Sequence, residues 1–348
     1  MNLENVLEES AAERTPAVLQ GAVLCPGGVK EKRSNVVAFK FGGSSLLGAE
    51  RMLHAARLVR DELQESNVCV VVSAMKGVTD HLLSIERALA AGKQGQARRE
   101  AEIVIELHLD VLAELRLEED HERRVRHDVR LLGTDLLHAV LVRCGGTTSA
   151  ERADWLASFG ERFSARLFAA ALENLGVAAV PVASSEFILT CDNFRAAEPH
   201  LPQTRQRGQE ILLPLIEQKI VPVVTGFIGA TPDGRITTLG RNSSDFSGAI
   251  IAHVVDAEEL VIWTDVDGIY TANPQESAEA CLLHELSYDE AHALAASGAK
   301  VLHEKVLPLA AESEMVVWVR NTFHPEARGT RIGPASAILA AQQKEGAL

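Results

Sequence analysis

Two stretches of the chain place charged side chains beside a loop of small residues, where a strand is expected to pass into a helix. In the first, Lys40 lies near the end of an apolar run and is followed closely by Gly42, Gly43 and Ser44. Glycines let the backbone approach a ligand, and a helix start presents unpaired N–H groups to an anion. The pattern is compatible with a phosphate site and also with a plain glycine turn. It matches neither a Walker A loop nor the GxGxxG fingerprint.

The second stretch, "TTLGRNSSDFSGA", carries Arg241 and Asp245. Arginine can bind a carboxylate or phosphate through two parallel hydrogen bonds, and an aspartate can orient a lysine or position Mg²⁺. The asparagine and serines between them could equally cap the helix that follows, with the aspartate near its positive end. Both interpretations can hold together.

Two further stretches are candidates for a nucleotide-facing surface. Thr264 and Asp265 end an apolar run, and Asp267 and Gly268 then predict a turn. This spacing does not fit an EF-hand calcium loop, so a nucleotide-facing loop is favoured. Lys300 begins an amphipathic helical pattern, and by itself it would be interpreted as a surface lysine.

The elements that must position these residues follow from hydrophobic patterning. Short β-branched runs without alternation are typical of strands buried on both faces, as in a parallel sheet. Helical patterns separate them, which predicts an α/β fold: a three-layer αβα sandwich around a mainly parallel central sheet. The predicted strands lie at 36–39, 68–73, 177–182, 220–227, 260–264 and 315–320.

The predicted organisation is one main domain over residues 35–333, with a flexible leader over 1–34 and a short tail over 334–348. Within the domain, about 84–150 read as a helical insertion that could pack beside a site or an oligomer partner. Its histidines have no HExxH spacing, so a solvated helix face is favoured over a metal site. These histidines are His108, His121, His127 and His138.

Charge and composition exclude several partner classes. The net charge is −14, which argues against nucleic acid or an anionic membrane as the main partner. The N-terminal segment lacks a signal-peptide pattern, and no apolar run is long enough to span a membrane. The cysteines are scattered, which argues against a disulfide framework or a structural zinc site and fits a reducing cytoplasm. They are Cys25, Cys69, Cys144, Cys191 and Cys281.

Taken in order, the motifs resemble those of the aspartokinases of the amino-acid kinase family, over roughly Val36 to Gly333. The resemblance implies the amino-acid kinase fold, with ATP and Mg²⁺ as cofactors and L-aspartate as acceptor. Such enzymes transfer the ATP γ-phosphate to the side-chain carboxylate, giving 4-phospho-L-aspartate, the first intermediate towards lysine, methionine and threonine. The motifs are "KFGGSS", "VVSAMKGVTDHLL", "SFGERFSARL", "VTGFIG", "LGRNSSDFSGA", "WTDVDGIYTANP", "LSYDEAHALAASGAKVLH" and "NTFHPEARGTRIG".

The same resemblance implies a role for each motif residue. Lys40 would contact the transferring phosphate, and Asp245 would organise Lys40 and the metal-bound phosphates. The other expected residues fall into groups that line the phosphate loop, bind aspartate or bind the nucleotide, and no residue is assigned as a dedicated metal ligand. The residues expected to line the phosphate loop are Gly42, Gly43 and Ser44. Aspartate would be bound by Ser73, Thr79, Glu161 and Arg241, with Glu161 holding its α-amino group and Arg241 pairing with a carboxylate. The nucleotide would be bound by Thr264, Asp265, Tyr270 and Lys300.

Two departures from the family pattern keep alternatives open. Asn273 and Gln275 stand where the family has an aspartate and a nucleotide-contacting arginine, and Arg235 or Lys305 could substitute. Only 15 residues follow Gly333, too few for the family's ACT domains, so no direct feedback inhibition by lysine or threonine is expected. A homodimer through catalytic domains is compatible with the pattern. The alternatives are a catalytically weak or silent domain that binds nucleotide or a partner enzyme, and a kinase for another small carboxylate.

Overall fold

The computed structural model describes residues 35–141, 149–240, 243–272, 277, 279–296 and 302–334. Within these ranges strands and helices alternate along most of the chain. The strands are β1 (Val36–Phe41), β2 (Asn67–Val72), β3 (Ala179–Val182), β4 (Val221–Thr225), β5 (Ile228–Ala230), β6 (Ile236–Thr238), β7 (Glu259–Thr264), β8 (Ile269–Tyr270), β9 (Leu282–Leu283), β10 (Glu285–Ser287), β11 (Val316–Asn321) and β12 (Thr330–Gly333). The helices are α1 (Gly48–Glu62), α2 (Val78–Ala90), α3 (Gln94–Glu114), α4 (Glu119–Leu141), α5 (Ser149–Ala157), α6 (Phe159–Asn174), α7 (Leu201–Glu217), α8 (Ser244–Val254), α9 (Tyr288–Ala296) and α10 (Val306–Glu312), with a 3₁₀ turn at Ser184–Glu186.

Eight of the strands form one sheet in the order β10-β12-β11-β7-β1-β2-β4-β3. Every neighbouring pair is parallel except β11 and β12, so the predicted mainly parallel sheet is confirmed. Each of the six predicted strands is present. The strands β5, β6, β8, β9, β10 and β12 were not predicted, because such short segments carry too little pattern to be distinguished from loop. The equally short β3 was predicted because it lies within the longer apolar run 177–182.

The two faces of the sheet build two hydrophobic cores. Alternate side chains of β1 point to opposite faces, as the pleat requires. Phe39 and Phe41 pack with α1, α6 and the helices of the predicted insertion, whereas Val36 and Ala38 pack with α7, α8 and α10. Helices on both faces of one sheet give the predicted three-layer αβα sandwich.

The described part of the predicted insertion is helical, and it is part of the main core. Residues of α2, α3 and α4 such as Ile85, Val104 and Leu136 are buried in the cluster that covers one face of the sheet. The prediction of a solvated face is wrong for His108, which is buried and stacks on Phe163 with ring centroids 4.4 Å apart.

The other three histidines of the predicted insertion differ in their surroundings. The His121 ring lies 2.8 Å from a Glu173 carboxylate oxygen, whereas His127 and His138 are exposed.

No group of three metal-ligating side chains occurs among the described residues. No described helix combines the length and the apolar character needed to cross a bilayer. The predicted leader over 1–34 and all but the first residue of the tail lie outside the described ranges, so these boundaries remain predictions.

Candidate active site

The centre of the candidate site is an ion pair between the two residues predicted to be catalytic. Lys40 lies on β1, and its Nζ is 2.6 Å from Oδ1 of Asp245 in the first turn of α8. A methyl group built on Gly248, one turn further along α8, would lie 3.2 Å from the Cβ of Lys40. The helix therefore packs directly against the stem of the buried lysine, which restricts where its ammonium group can go.

The glycine loop after β1 is held at the carboxyl ends of three parallel strands. The N–H of Gly42 donates to the carbonyl of Trp263 on β7 (3.2 Å), and the carbonyl of Gly43 accepts from the N–H of Lys76 beyond β2 (3.0 Å). A Cβ on Gly43 would lie 2.6 Å from the carbonyl oxygen of Ala74, so no larger residue fits without movement. Ligands of open α/β sheets bind at this edge.

The strand, the glycine loop and the helix follow one another as predicted, and a turn over residues 43–47 separates the glycines from α1. Ser44 lies in a turn that precedes the first residue of α1, Gly48, and its carbonyl accepts a hydrogen bond from Arg51 (3.0 Å). The phosphate-binding role predicted for Gly42, Gly43 and Ser44 therefore depends on the turn's own backbone. The N-terminus of α1 begins four residues beyond Ser44.

A cleft of about 610 Å³ adjoins the loop. Three of the predicted substrate residues line it: Ser73 directly after β2, Thr79 in the first turn of α2 and Glu161 in the first turn of α6. Gly77 has a φ of 91° at the start of α2, a left-handed conformation that glycine adopts without strain. The structure thus brings together residues that are far apart in the sequence, in a volume suited to a small ligand.

Glu161 has unusual electrostatics for a carboxylate. It is only 4% exposed, and its Oε2 atom has no hydrogen-bond partner within the described residues. Burial raises the pKa of Glu161 to about 8, although two backbone hydrogen bonds and the positive charge of Lys40 lower it. A buried carboxylate with an unused oxygen in a cleft is suited to binding a cationic group of a ligand.

The predicted nucleotide residues that the structure describes lie on the β7 side of Lys40. Thr264 is the last residue of β7 and accepts a hydrogen bond from the N–H of Thr322 at its carbonyl (2.8 Å). Its hydroxyl lies 3.4 Å from Oδ1 of the exposed Asp265, and Tyr270 lies on β8 of a separate hairpin. Because β7 pairs with β1, Thr264 and Asp265 follow the strand next to the one that carries Lys40.

Four residues singled out in the sequence lie outside the described residues, and their predicted roles remain predictions. Two are site residues, Arg241 and Lys300. The other two, Asn273 and Gln275, are the departures from the family pattern.

Sequence reasoning missed a buried acid in the wall of the cleft. Asp154 on α5 is 2% exposed and accepts hydrogen bonds from the N–H of Arg195 (2.7 Å) and from the N–H and hydroxyl of Thr238 (2.8 and 2.9 Å). Burial raises its pKa, and these hydrogen bonds lower it. Phe227 also lines the cleft. The available signal was an aspartate on the apolar face of the short helical pattern "SAERADWLA".

Comparison with known proteins is consistent with this geometry. The chain belongs to the amino acid kinase family, whose model matches residues 35–321. Aspartokinase 1, chloroplastic, from Arabidopsis thaliana is 33% identical over 336 residues, covering 94% of this chain and 55% of that protein. Lysine-sensitive aspartokinase 3 from Escherichia coli K12 is 33% identical over 301 residues, covering 86% of this chain and 64% of that protein.

Solved structures agree. The E. coli aspartokinase III complex with aspartate and ADP superposes with a TM-score of 0.73 at 30% identity, covering 86% of this chain and 64% of that one. The complex of the same enzyme with lysine and aspartate gives a TM-score of 0.77 at 31% identity, covering 86% and 65%. The chain thus spans between about half and two thirds of the length of these relatives.

Proposed function

We propose that this chain is an ATP-dependent aspartate kinase, which transfers the γ-phosphate of ATP to the side-chain carboxylate of L-aspartate to form 4-phospho-L-aspartate. The observation that carries the proposal is the Lys40–Asp245 pair, with a 2.6 Å separation, at the same sheet edge as the glycine loop and the cleft that contains Glu161. The E. coli aspartokinase III whose complex with aspartate and ADP is solved is similar in fold over 86% of this chain, at 30% identity.

The acceptor side of the reaction needs recognition more than activation. A carboxylate is ionised near neutral pH, so the nucleophile requires no strong general base. Glu161 is suited to bind the α-ammonium group of the acceptor, because a buried carboxylate gains most when a positive group replaces its lost hydration. Ser73 and Thr79 line the same cleft and offer hydroxyl groups to the acceptor.

The donor side needs charge stabilisation and alignment. The ammonium group of Lys40 is fixed by Asp245 and would stabilise negative charge on the transferring phosphoryl group. Because the glycine loop has no side chain at Gly43, its backbone can lie close to the phosphates. Thr264, Asp265 and Tyr270 would hold the remainder of the nucleotide from the β7 side.

Magnesium would bind at this site mainly through the phosphates of the nucleotide. Mg²⁺ in kinases is held by substrate phosphates with one or two protein carboxylates, and it neutralises charge on the phosphates when bound. Asp245, which is paired with Lys40, would help to organise the metal-bound phosphates.

The test is an ADP-release assay with Mg-ATP and L-aspartate, in which hydroxylamine traps the acyl phosphate as a hydroxamate. Lys40→Met should lower kcat by about 10³-fold, because the main charge-stabilising group is lost. The matched control is Lys93→Met, which alters an exposed lysine between α2 and α3 and should leave the rate unchanged. Binding of ATP and aspartate without hydroxamate would refute the kinase and favour a silent domain. Hydroxamate only with another acid would refute the substrate.

Two finer parts of the proposal rest on the resemblance and composition. A cytoplasmic location is proposed from the ATP requirement and the scattered cysteines, and fractionation of cells that express the chain would test it. A homodimer through catalytic domains is proposed from the family alone, and analytical ultracentrifugation would report a monomer if this is wrong.

A further inference from the structure

A cavity of about 420 Å³ lies against α1, and its lining shares no described residue with that of the acceptor cleft. The residues that line it are Glu50, Arg51, His54, Arg57 and Phe323. The three basic residues are spaced three apart, which places them on one face of the helix. Two guanidinium groups are thus set against one carboxylate, a composition that favours an anion over a cation as ligand.

The two arginines differ in what they already contact. Arg57 is exposed and forms no hydrogen bond or ion pair with any residue that the structure describes. Arg51 donates a hydrogen bond to the carbonyl of Ser44 (3.0 Å), and its guanidinium carbon lies 4.8 Å from the centre of the Phe323 ring. Because a guanidinium group has five N–H donors, both arginines retain donors for a ligand.

The loop that follows β11 forms the other wall of the cavity, and side-chain contacts hold it in place. His54 donates its Nε2–H to the carbonyl of Thr322 (2.6 Å), and its ring stacks on that of Phe323 with centroids 6.4 Å apart. The hydroxyl groups of Thr322 and Ser45 lie 2.7 Å apart, and both residues are fully buried. The cavity is therefore preformed, as is usual for a small-molecule site.

Both walls contact the turn that contains the glycine loop. Ser44, which accepts the hydrogen bond from Arg51, directly follows Gly43. Ser45 donates its N–H to the carbonyl of Gly42 (3.0 Å). An anion that pairs with Arg51 competes with the Ser44 carbonyl for the same guanidinium group, and the charged acceptor binds that group more strongly. An anion in the cavity should therefore loosen the turn to which the proposed function assigns the phosphates.

We propose that this cavity is a regulatory site for a small ligand that carries a phosphate group, and that its occupation weakens nucleotide binding. Two arginines match the charge of a phosphate dianion, and each can donate to its oxygens. No catalytic or substrate residue that the structure describes lies in the lining. The anion site goes beyond the proposed function, whereas its effect on the nucleotide rests on the role proposed for the phosphate loop.

The first experiment measures the binding of inorganic phosphate to the full chain by isothermal titration calorimetry at constant ionic strength. Two charge-assisted hydrogen bonds correspond to a Kd of about 1 mM. Arg57→Gln should raise this Kd at least about tenfold, whereas Glu50→Gln should lower it about threefold because a negative charge leaves the lining. Acetate, with a single charge, should bind at least about tenfold more weakly than phosphate. The matched control is Arg60→Gln, on the same helix but outside the lining, which should leave the Kd unchanged.

The second experiment measures the Kd of Mg-ATP as the phosphate concentration is raised. In the wild type this Kd should rise to a plateau about fivefold higher, the value of one lost hydrogen bond, and in Arg57→Gln it should rise much less. Phosphate that competes with ATP at the glycine loop would give no plateau and would act equally in Arg57→Gln. Arg51→Met removes the donor to Ser44, so its Kd for Mg-ATP should be about fivefold higher without phosphate and insensitive to phosphate.

Several results would overturn the proposal. They are the absence of phosphate binding, an unchanged phosphate Kd in Arg57→Gln, and a Kd of Mg-ATP that ignores phosphate or responds equally in Arg57→Gln. All three substituted lining residues, Glu50, Arg51 and Arg57, are exposed, so the variants should melt at the wild-type temperature. Phosphate binding that depends on Arg57, in a chain that does not bind Mg-ATP, would refute the proposed function and the coupling but leave the anion site standing.

Discussion

Glu161 provides a test in which stability and substrate binding should change in opposite directions. Its carboxyl group is buried beside the cleft, and burial raises its pKa from 4.5 to about 8. Ionising the group in the folded protein therefore opposes folding, because the unfolded chain solvates the charge better. Glu161→Gln keeps the shape of the side chain and removes the ionisation.

The magnitude follows from proton linkage. Since the folded pKa lies above the unfolded one, the stabilisation from protonated Glu161 is fully present below pH 4.5 and is lost as pH rises through 8. From pH 5 to pH 8.5 the free energy of unfolding of the wild type should therefore fall by about 4 kcal/mol. A chain of this size changes its Tm by about 2 °C per kcal/mol, so the difference in Tm between Glu161→Gln and the wild type should shift by about 8 °C in favour of the variant from pH 5 to pH 8.5.

Substrate binding should respond with the opposite sign. The ionised form binds the ammonium group, and at pH 7 only about a tenth of a group with a pKa near 8 is ionised, so the KM for aspartate should fall about eightfold from pH 7 to pH 8.5. In Glu161→Gln the KM should rise by about 100-fold and lose this pH dependence, because the buried charge partner is gone.

Melting curves across pH, together with aspartate titrations in the hydroxamate assay, measure both effects. Glu106→Gln on the exposed side of α3 is the matched control. Parallel Tm–pH curves for Glu161→Gln and the wild type would refute the argument from burial, and an unchanged KM would refute the ammonium-binding role.

Two other substitutions test the loop and the buried histidine. Gly43→Ala would place a methyl group 2.6 Å from the Ala74 carbonyl, so kcat should fall at least about tenfold as the loop shifts, whereas Gly95→Ala in the first turn of α3 should be silent in catalysis and raise stability by about 0.5 kcal/mol. Full activity of Gly43→Ala would show that close approach of the loop is not required. Burial lowers the pKa of His108 from 6.5 to about 4, so the stability of the neutral ring is present above pH 6.5 and falls by about 3 kcal/mol as pH drops from 7 to 4. In His108→Leu, the free energy of unfolding measured in urea should fall less between pH 7 and pH 4 than in the wild type. An equal fall in both proteins would contradict the assignment to His108.

Local pattern determined much of the architecture. Six strands were predictable because residues buried on both faces of a parallel sheet leave unalternated β-branched runs, as in β1 and β7. The glycine loop was predictable because only glycine tolerates the approach of the Ala74 carbonyl at Gly43. The roles of Lys40, Glu161 and Asp245 were expected only from the resemblance of their motifs to those of the aspartokinases.

The tertiary structure alone decided how these groups act on one another. No periodicity shows that Lys40 and Asp245 form a pair at 2.6 Å, because the packing of α8 against β1 sets that distance. Burial of His108 and Glu161, and the pKa shifts that follow, depend on helices packed from distant parts of the chain. The hydrogen bond from the N–H of Arg195 to Asp154 joins α5 to a loop far along the sequence. Local sequence encodes which conformations a segment prefers, whereas distances and desolvation between remote segments arise only when the core assembles.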